Sequence, residues 1–101
     1  MERLDYFAKL VAEEPDVARA RFGYANELLA SGRDQEAVDQ LRAYLALAED
    51  EGNGWQRLGR ALARLGRPND AADAYLSGID QAERHGHGGM ADEMREELEA
   101  L

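Results

Sequence analysis

A repeat of 34 residues is the feature that most constrains how this chain can fold. The segment Gly-Arg-Asp-Gln-Glu-Ala at 32–37 matches Gly-Arg-Pro-Asn-Asp-Ala at 66–71, so Gly32 aligns with Gly66. The same shift aligns residues of similar size on both sides of these glycines: Tyr24 with Leu58, Ala25 with Gly59, Leu28 with Leu62, Leu41 with Tyr75 and Leu45 with Ile79. A shared period of this length predicts stacked copies of one supersecondary unit.

Each unit is predicted to contain two helices with a glycine between them. Apolar or small residues recur at helical spacing in the first helices, at Tyr24, Ala25, Leu28 and Leu29 and again at Trp55, Leu58, Gly59, Leu62 and Leu65. They recur in the second helices at Ala37, Leu41, Tyr44 and Leu45 and at Ala71, Tyr75, Ile79 and Ala82. Gly32 and Gly66 end the first helices, because glycine adopts the left-handed backbone cheaply. Asp34 is expected to cap the following helix, and Pro68 suits a first-turn position.

The second unit resembles the tetratricopeptide repeat. The residues that match its pattern are Trp55, Leu58, Gly59, Leu62, Gly66, Ala71 and Tyr75. The first unit is a looser match, with Arg21 at the position of the tryptophan and Tyr24-Ala25 in place of Leu-Gly. Glu49 and Glu83 stand where each unit usually closes with proline, so the second helices could run on by a turn.

The resemblance implies one all-α domain over residues 1–101, an α-solenoid of antiparallel helix-turn-helix repeats with about six helices. Its predicted parts are an N-terminal half unit at 1–15, repeats at 18–51 and 52–85, and a capping helix at 88–101. In the cap, an apolar stripe of Met90, Met94, Leu98 and Leu101 lies on an otherwise acidic helix. The chain also resembles small stand-alone bacterial repeat proteins with a similar acidic end, which implies a cytoplasmic protein.

The arginine residues of the second unit indicate a binding face. Arg57, Arg60 and Arg64 fall on one arc of the helix, opposite its apolar stripe. In the tetratricopeptide family the first helix of each unit lines a concave groove, so the resemblance places these residues there: Arg19, Phe22, Asn26, Gln56, Arg57, Arg60 and Arg64. Arginine suits carboxylates. We therefore expect a non-catalytic protein–protein interaction module that binds an acidic peptide or protein segment.

Two other interpretations of these residues remain open. The arginines can form a solvated face that pairs with Glu27 or with acids on neighbouring helices. The chain would then be a structural protein that associates with itself, as a homodimer, through its N-terminal helix or its cap.

The Lys/Asn set by which some relatives hold terminal carboxylates is incomplete here, since Asn26 matches while Phe22 and Arg57 depart from it.

Composition and motifs argue against several other functions. The net charge of −9 disfavours nucleic acids and anionic membranes as partners, and no apolar run approaches the roughly 20 residues of a membrane helix. The glycines at 52–66 follow no predicted strand, as a nucleotide-binding loop would require. Cysteine is absent, and His85 and His87 have only acids nearby as further ligands. The sequence therefore predicts no enzyme, no cofactor and no metal site.

Overall fold

A computed structural model of the chain describes residues 2–101 and confirms the predicted all-α fold. Six helices follow one another without a strand in these residues: α1 (Arg3–Glu13), α2 (Ala18–Ala30), α3 (Asp34–Leu47), α4 (Asn53–Arg64), α5 (Pro68–Arg84) and α6 (Gly88–Glu99). Each helix packs against the next along the chain, from α1 on α2 to α5 on α6. The result is a helical, repeat-like array with principal extents of 39 × 28 × 18 Å.

The same turn ends α2, α4 and α5. A glycine lies in the left-handed region at each end, with φ of 73° at Gly32, 73° at Gly66 and 77° at Gly86. The next N–H then donates to a carbonyl five residues back, at 2.8–2.9 Å: Arg33 to Leu28, Arg67 to Leu62 and His87 to Ala82. This hydrogen bond defines the Schellman motif, which satisfies carbonyls that the helix end would otherwise leave open.

The core runs through the middle of the array, where small residues allow helices to approach closely. Its largest fully buried side chains are Leu28, Val38, Leu41, Leu58, Leu62 and Met94. A Cβ atom at Gly59 would lie 2.8 Å from the Tyr75 ring, and one at Gly78 would lie 2.6 Å from the Met94 sulfur. These glycines set the distances from α4 to α5 and from α5 to α6.

A buried carboxylate organises the start of α4. Gly54 is inside α4, which begins at Asn53. The buried Asp50 organises this start, since its Oδ1 accepts hydrogen bonds from the backbone N–H groups of Gly52 at 2.9 Å and Gly54 at 2.8 Å. The Tyr44 hydroxyl donates to the other oxygen of the Asp50 carboxylate at 2.8 Å. Burial is the main cause that raises the pKa of Tyr44 to about 12, and this hydrogen bond adds to it.

Two expectations about α3 differ from the structure. Asp34 does not cap α3 with its side chain, because it is already the first helical residue and its carboxylate contacts Arg64 instead. The helix also ends at Leu47, before Glu49, whereas α5 does continue past Glu83. The two predicted repeats therefore have second helices of different length.

Replacing Gly59 with alanine is expected to destabilise the fold by about 1–3 kcal/mol, because the added Cβ would overlap the Tyr75 ring. Gly89→Ala in α6 is the matched control, since a Cβ there meets no atom within 4 Å and alanine favours a helix. Urea unfolding followed by circular dichroism measures both changes. Equal midpoints for the two variants would contradict the close packing of α4 on α5.

Candidate functional site

An open hollow of about 500 Å³ lies between α2 and α4, and we call it the arginine hollow. It is lined by Asn26, Leu29 and Ala30 from α2 and by Asn53, Gln56, Arg57, Arg60 and Arg64 from α4. The first helices of the two predicted units thus form its walls. It brings together five of the seven residues that the sequence places in a binding groove: Asn26, Gln56, Arg57, Arg60 and Arg64.

The two other predicted groove residues lie elsewhere. Phe22 packs beneath the hollow, with its ring 4.7 Å from that of Tyr44 and 5.1 Å from the Arg57 guanidinium carbon. Arg19 is in the first turn of α2 and lines a separate hollow beside α1, together with Tyr6. Phe22 therefore supports the site from below, while the structure does not bring Arg19 into it.

Arg60 is held by two carboxylates of the C-terminal helix. Its Nε donates to Glu97 at 2.7 Å, and its Nη2 donates to Glu93 at 2.7 Å and to Glu97 at 3.0 Å. The buried Gln56 donates from Nε2 to the same two carboxylates, at 2.6 Å and 2.8 Å. The Tyr75 hydroxyl donates to Glu97 at 3.0 Å. We call these five residues the α4–α6 junction.

The junction favours the ionised forms of Glu97 and Arg60. Burial opposes the ionisation of Glu97, but hydrogen bonds from Arg60, Gln56 and Tyr75 outweigh it and lower the pKa of this carboxyl. The bond to Glu97 raises the pKa of Arg60. Burial, reinforced by the bond to Glu97, raises the pKa of Tyr75 to about 12, so its hydroxyl remains a donor at neutral pH.

Arg64 is also paired within the chain. Its Nε and Nη2 donate to the two oxygens of Asp34 at 2.9 Å and 3.1 Å, in the bidentate geometry that suits a guanidinium. The Asp34 side chain is only 17% exposed, and its hydrogen bond raises the pKa of Arg64. This pair ties α4 to the start of α3.

Arg57 differs from the other arginines of the hollow, because no carboxylate lies within 4 Å of it anywhere in residues 2–101. Its Nη1 donates to the backbone carbonyl of Asn53 at 3.2 Å, and its guanidinium lies over the Phe22 ring. These contacts hold the side chain in place while leaving its charge without an anionic partner. Asn26 and Asn53 line the same hollow.

Sequence reasoning allowed the arginines to pair with Glu27 or with acids on neighbouring helices, but it did not single out Glu93 and Glu97. Glu27 pairs with Arg3 instead. Glu93 and Glu97 lie one helical turn apart on α6, as Gln56 and Arg60 do on α4. This matched spacing of donors and acceptors was the available signal. It could not show which faces of the two helices meet, because α6 departs from the register of the repeat.

The two histidines pair with an acid rather than with each other. His87 Nε2 lies 2.7 Å from Glu51 Oε1, and His85 Nδ1 lies 4.0 Å from Glu51 Oε2. The hydrogen bond with His87 lowers the pKa of Glu51. The contact joins the α3–α4 connection to the α5–α6 turn. Among the described residues, no three or more His, Cys, Asp or Glu side chains are grouped so as to hold a metal ion.

Comparison with known proteins adds no assignment. No family model matches the chain, and no curated protein matches it. None of the helices between residues 2 and 101 has both the length and the apolar character that crossing a membrane requires. A function for the chain therefore has to be inferred from the chemistry of the arginine hollow and its surroundings.

Glu97→Gln is expected to lower the melting temperature at neutral pH by about 4 °C. This is the shift that a loss of ~1 kcal/mol in the free energy of unfolding causes in a domain of this size. The folded pKa of Glu97 lies below its ordinary value of 4.5, so its contribution is present above that pH and is lost as the pH falls through the folded pKa. The difference from the wild type should therefore shrink in acid. Thermal unfolding across a pH series measures it, with the exposed Glu96→Gln as control. A difference independent of pH would contradict the ionised junction.

Proposed function

We propose that this chain is a non-catalytic protein–protein interaction module of the tetratricopeptide type, which binds an acidic peptide or protein segment in the arginine hollow. One observation carries the proposal. The Arg57 guanidinium lies in an open hollow, 5.1 Å from the Phe22 ring centroid, with no carboxylate within 4 Å in residues 2–101. A carboxylate from a partner would supply the missing anion.

The surroundings of Arg57 favour such a ligand. A guanidinium binds a carboxylate through two parallel N–H donors. Contacts with Phe22 and the Asn53 carbonyl already restrict the side chain, so less conformational entropy is lost on binding. The Asn26 side chain lines the same hollow and carries both a donor and an acceptor for a peptide backbone.

The size of the hollow and the array around it also support this proposal. A volume of about 500 Å³ lies within the range of pockets that bind small ligands, and accommodates a few residues of a chain rather than a folded surface. Packed helices on both sides hold the lining residues in position. As in the small bacterial repeat proteins that the chain resembles, we expect a cytoplasmic partner and no nucleic acid, membrane, metal or cofactor.

Arg57→Glu is expected to abolish ligand selection, because it reverses the charge of the one arginine in the hollow that no internal carboxylate holds. Arg42→Glu is the matched control, since this exposed α3 residue lines a different hollow and undergoes the same charge change. A random peptide library displayed on phage would be selected on each protein. The wild type and Arg42→Glu should enrich acidic sequences. Enrichment of the same sequences by Arg57→Glu, or no acidic preference at all, would contradict the proposal.

A self-associating structural protein is the second candidate, and the N-terminal helix favours it. Val11 is the only buried residue of α1, and Tyr6 is 53% exposed. Tyr6 and Leu10 both line two shallow hollows on this helix. In the cap, Met94 is fully buried inside the array, while Leu101 is 42% exposed. An open apolar face on α1 is a surface that a second copy of the chain could cover.

Molar mass separates the two candidates. For an interaction module we expect light scattering to give 11.2 kDa throughout a concentration series. Tyr6→Lys should leave that mass unchanged, because Tyr6 would then contact no second copy. A dimer in the wild type that dissociates in Tyr6→Lys would instead favour self-association through α1.

A further inference from the structure

The C-terminal helix presents an acidic pattern to α4 that resembles a bound ligand. Glu93 and Glu97 are spaced by four residues on α6, and they meet Gln56 and Arg60, which have the same spacing on α4. Gln56 and Arg60 are thus already engaged by two carboxylates of the chain itself. These are the groups that an acidic segment would bring to the hollow.

The arginine hollow therefore has an occupied part and an open part. Arg60 is paired with Glu93 and Glu97, and Arg64 is paired with Asp34. Arg57 alone among the hollow's arginines has no carboxylate within 4 Å in the part of the chain that the structure describes. A ligand carboxylate can reach Arg57 directly, but it can gain Arg60 only by replacing an internal anion.

We propose that Glu93 and Glu97 act as internal competitors for Arg60, so that acidic ligands bind first at Arg57 and gain Arg60 by displacing these two carboxylates. The inference rests on the proposed function and adds the regulation of that site. It also narrows the ligand class. A segment with one carboxylate gains only Arg57, whereas a segment with several carboxylates also competes for Arg60.

Displacement involves the side chains and leaves α6 docked. Met94 of α6 is fully buried and packs directly on Gly78, where an added Cβ would lie only 2.6 Å from the Met94 sulfur. Removing the helix would therefore open the core. The Glu93 side chain is 56% exposed and can turn into solvent at small cost, whereas Glu97 is 23% exposed and also accepts from Tyr75. A ligand therefore replaces Glu93 before Glu97.

Because of this competition, a ligand has to bind more strongly than the internal carboxylates before it can pair with Arg60. The internal carboxylates are tethered beside Arg60, so they compete at a high effective concentration that no dilution removes. A weakly acidic segment leaves them in place and is held by Arg57 alone. Removing their charge should therefore strengthen the binding of any polyacidic ligand, although the hollow itself is unchanged.

The test compares two double variants of α6 that lose the same charge. Glu93→Gln/Glu97→Gln removes the competing carboxylates. Glu96→Gln/Glu99→Gln removes two exposed carboxylates that accept no side-chain hydrogen bond within residues 2–101. The probe is a fluorescein-labelled hexaglutamate peptide with both ends blocked, and fluorescence anisotropy gives its Kd. Circular dichroism and the melting temperature establish that each protein is folded.

We expect Glu93→Gln/Glu97→Gln to bind the probe roughly three- to tenfold more tightly than the wild type, the range that one or two partly exposed ion pairs give. Glu96→Gln/Glu99→Gln should stay within about twofold, since salt screens its distant charges. Adding Arg60→Gln to the first variant should remove the gain in affinity. If the gain came only from a loosening of α6, Arg60→Gln would leave it in place. If the first variant fails to fold, Glu93→Gln alone should give a smaller gain, because this side chain is more than half exposed.

The outcomes separate this inference from the proposed function. An equal gain in both double variants would overturn the competition, because general charge repulsion would explain it. If the wild type binds the probe, Arg57→Glu does not, and neither double variant gains affinity, the competition is overturned while the proposed function stands. If none of the proteins binds the probe, both are overturned.

Discussion

The close approach of neighbouring helices at small residues is the constraint on which the rest of the structure depends. Gly59 lets the Tyr75 ring pack directly on α4, and Gly78 lets Met94 of α6 enter the core. Because α5 is held this closely on both sides, α4 and α6 come near enough for Arg60 to reach Glu97. The electrostatics of the candidate site are thus a consequence of packing in the core.

The arrangement of charge explains how an acidic chain can carry a basic hollow. The net charge is −9, yet α4 places three arginines along one face. Acids from α3 and α6 neutralise two of them, Arg60 and Arg64, and an aromatic ring supports the third, Arg57. Pairing stabilises the array and limits the number of cations that a ligand can reach. Arg60 and Arg64 therefore pair with acids of neighbouring helices, as the solvated-face interpretation expected, and Arg57 is the member of the row on which the proposed binding face depends.

The 34-residue repeat predicted pairs of helices and the glycines that end the first helix of each pair, because helical period and turn chemistry are local properties. The resemblance to a known repeat family implied the all-α array of about six helices. The same resemblance implied that residues from two separate units, such as Asn26 and Arg57, lie on one surface. The prediction was less accurate for contacts between separate elements. Arg19 belongs to the α1 side of the array, and Asp34 contacts Arg64 instead of capping α3.

The sequence by itself determined the helices, their turns and the arc that holds Arg57, Arg60 and Arg64, since each follows from spacing within one segment. Only the tertiary structure decided which of these arginines keeps an open charge. That choice depends on acids 30 or more positions away, such as Asp34 for Arg64 and Glu97 for Arg60. Whether such pairs form is set by the distance and rotation between packed helices, and neither is encoded in the spacing of a single helix.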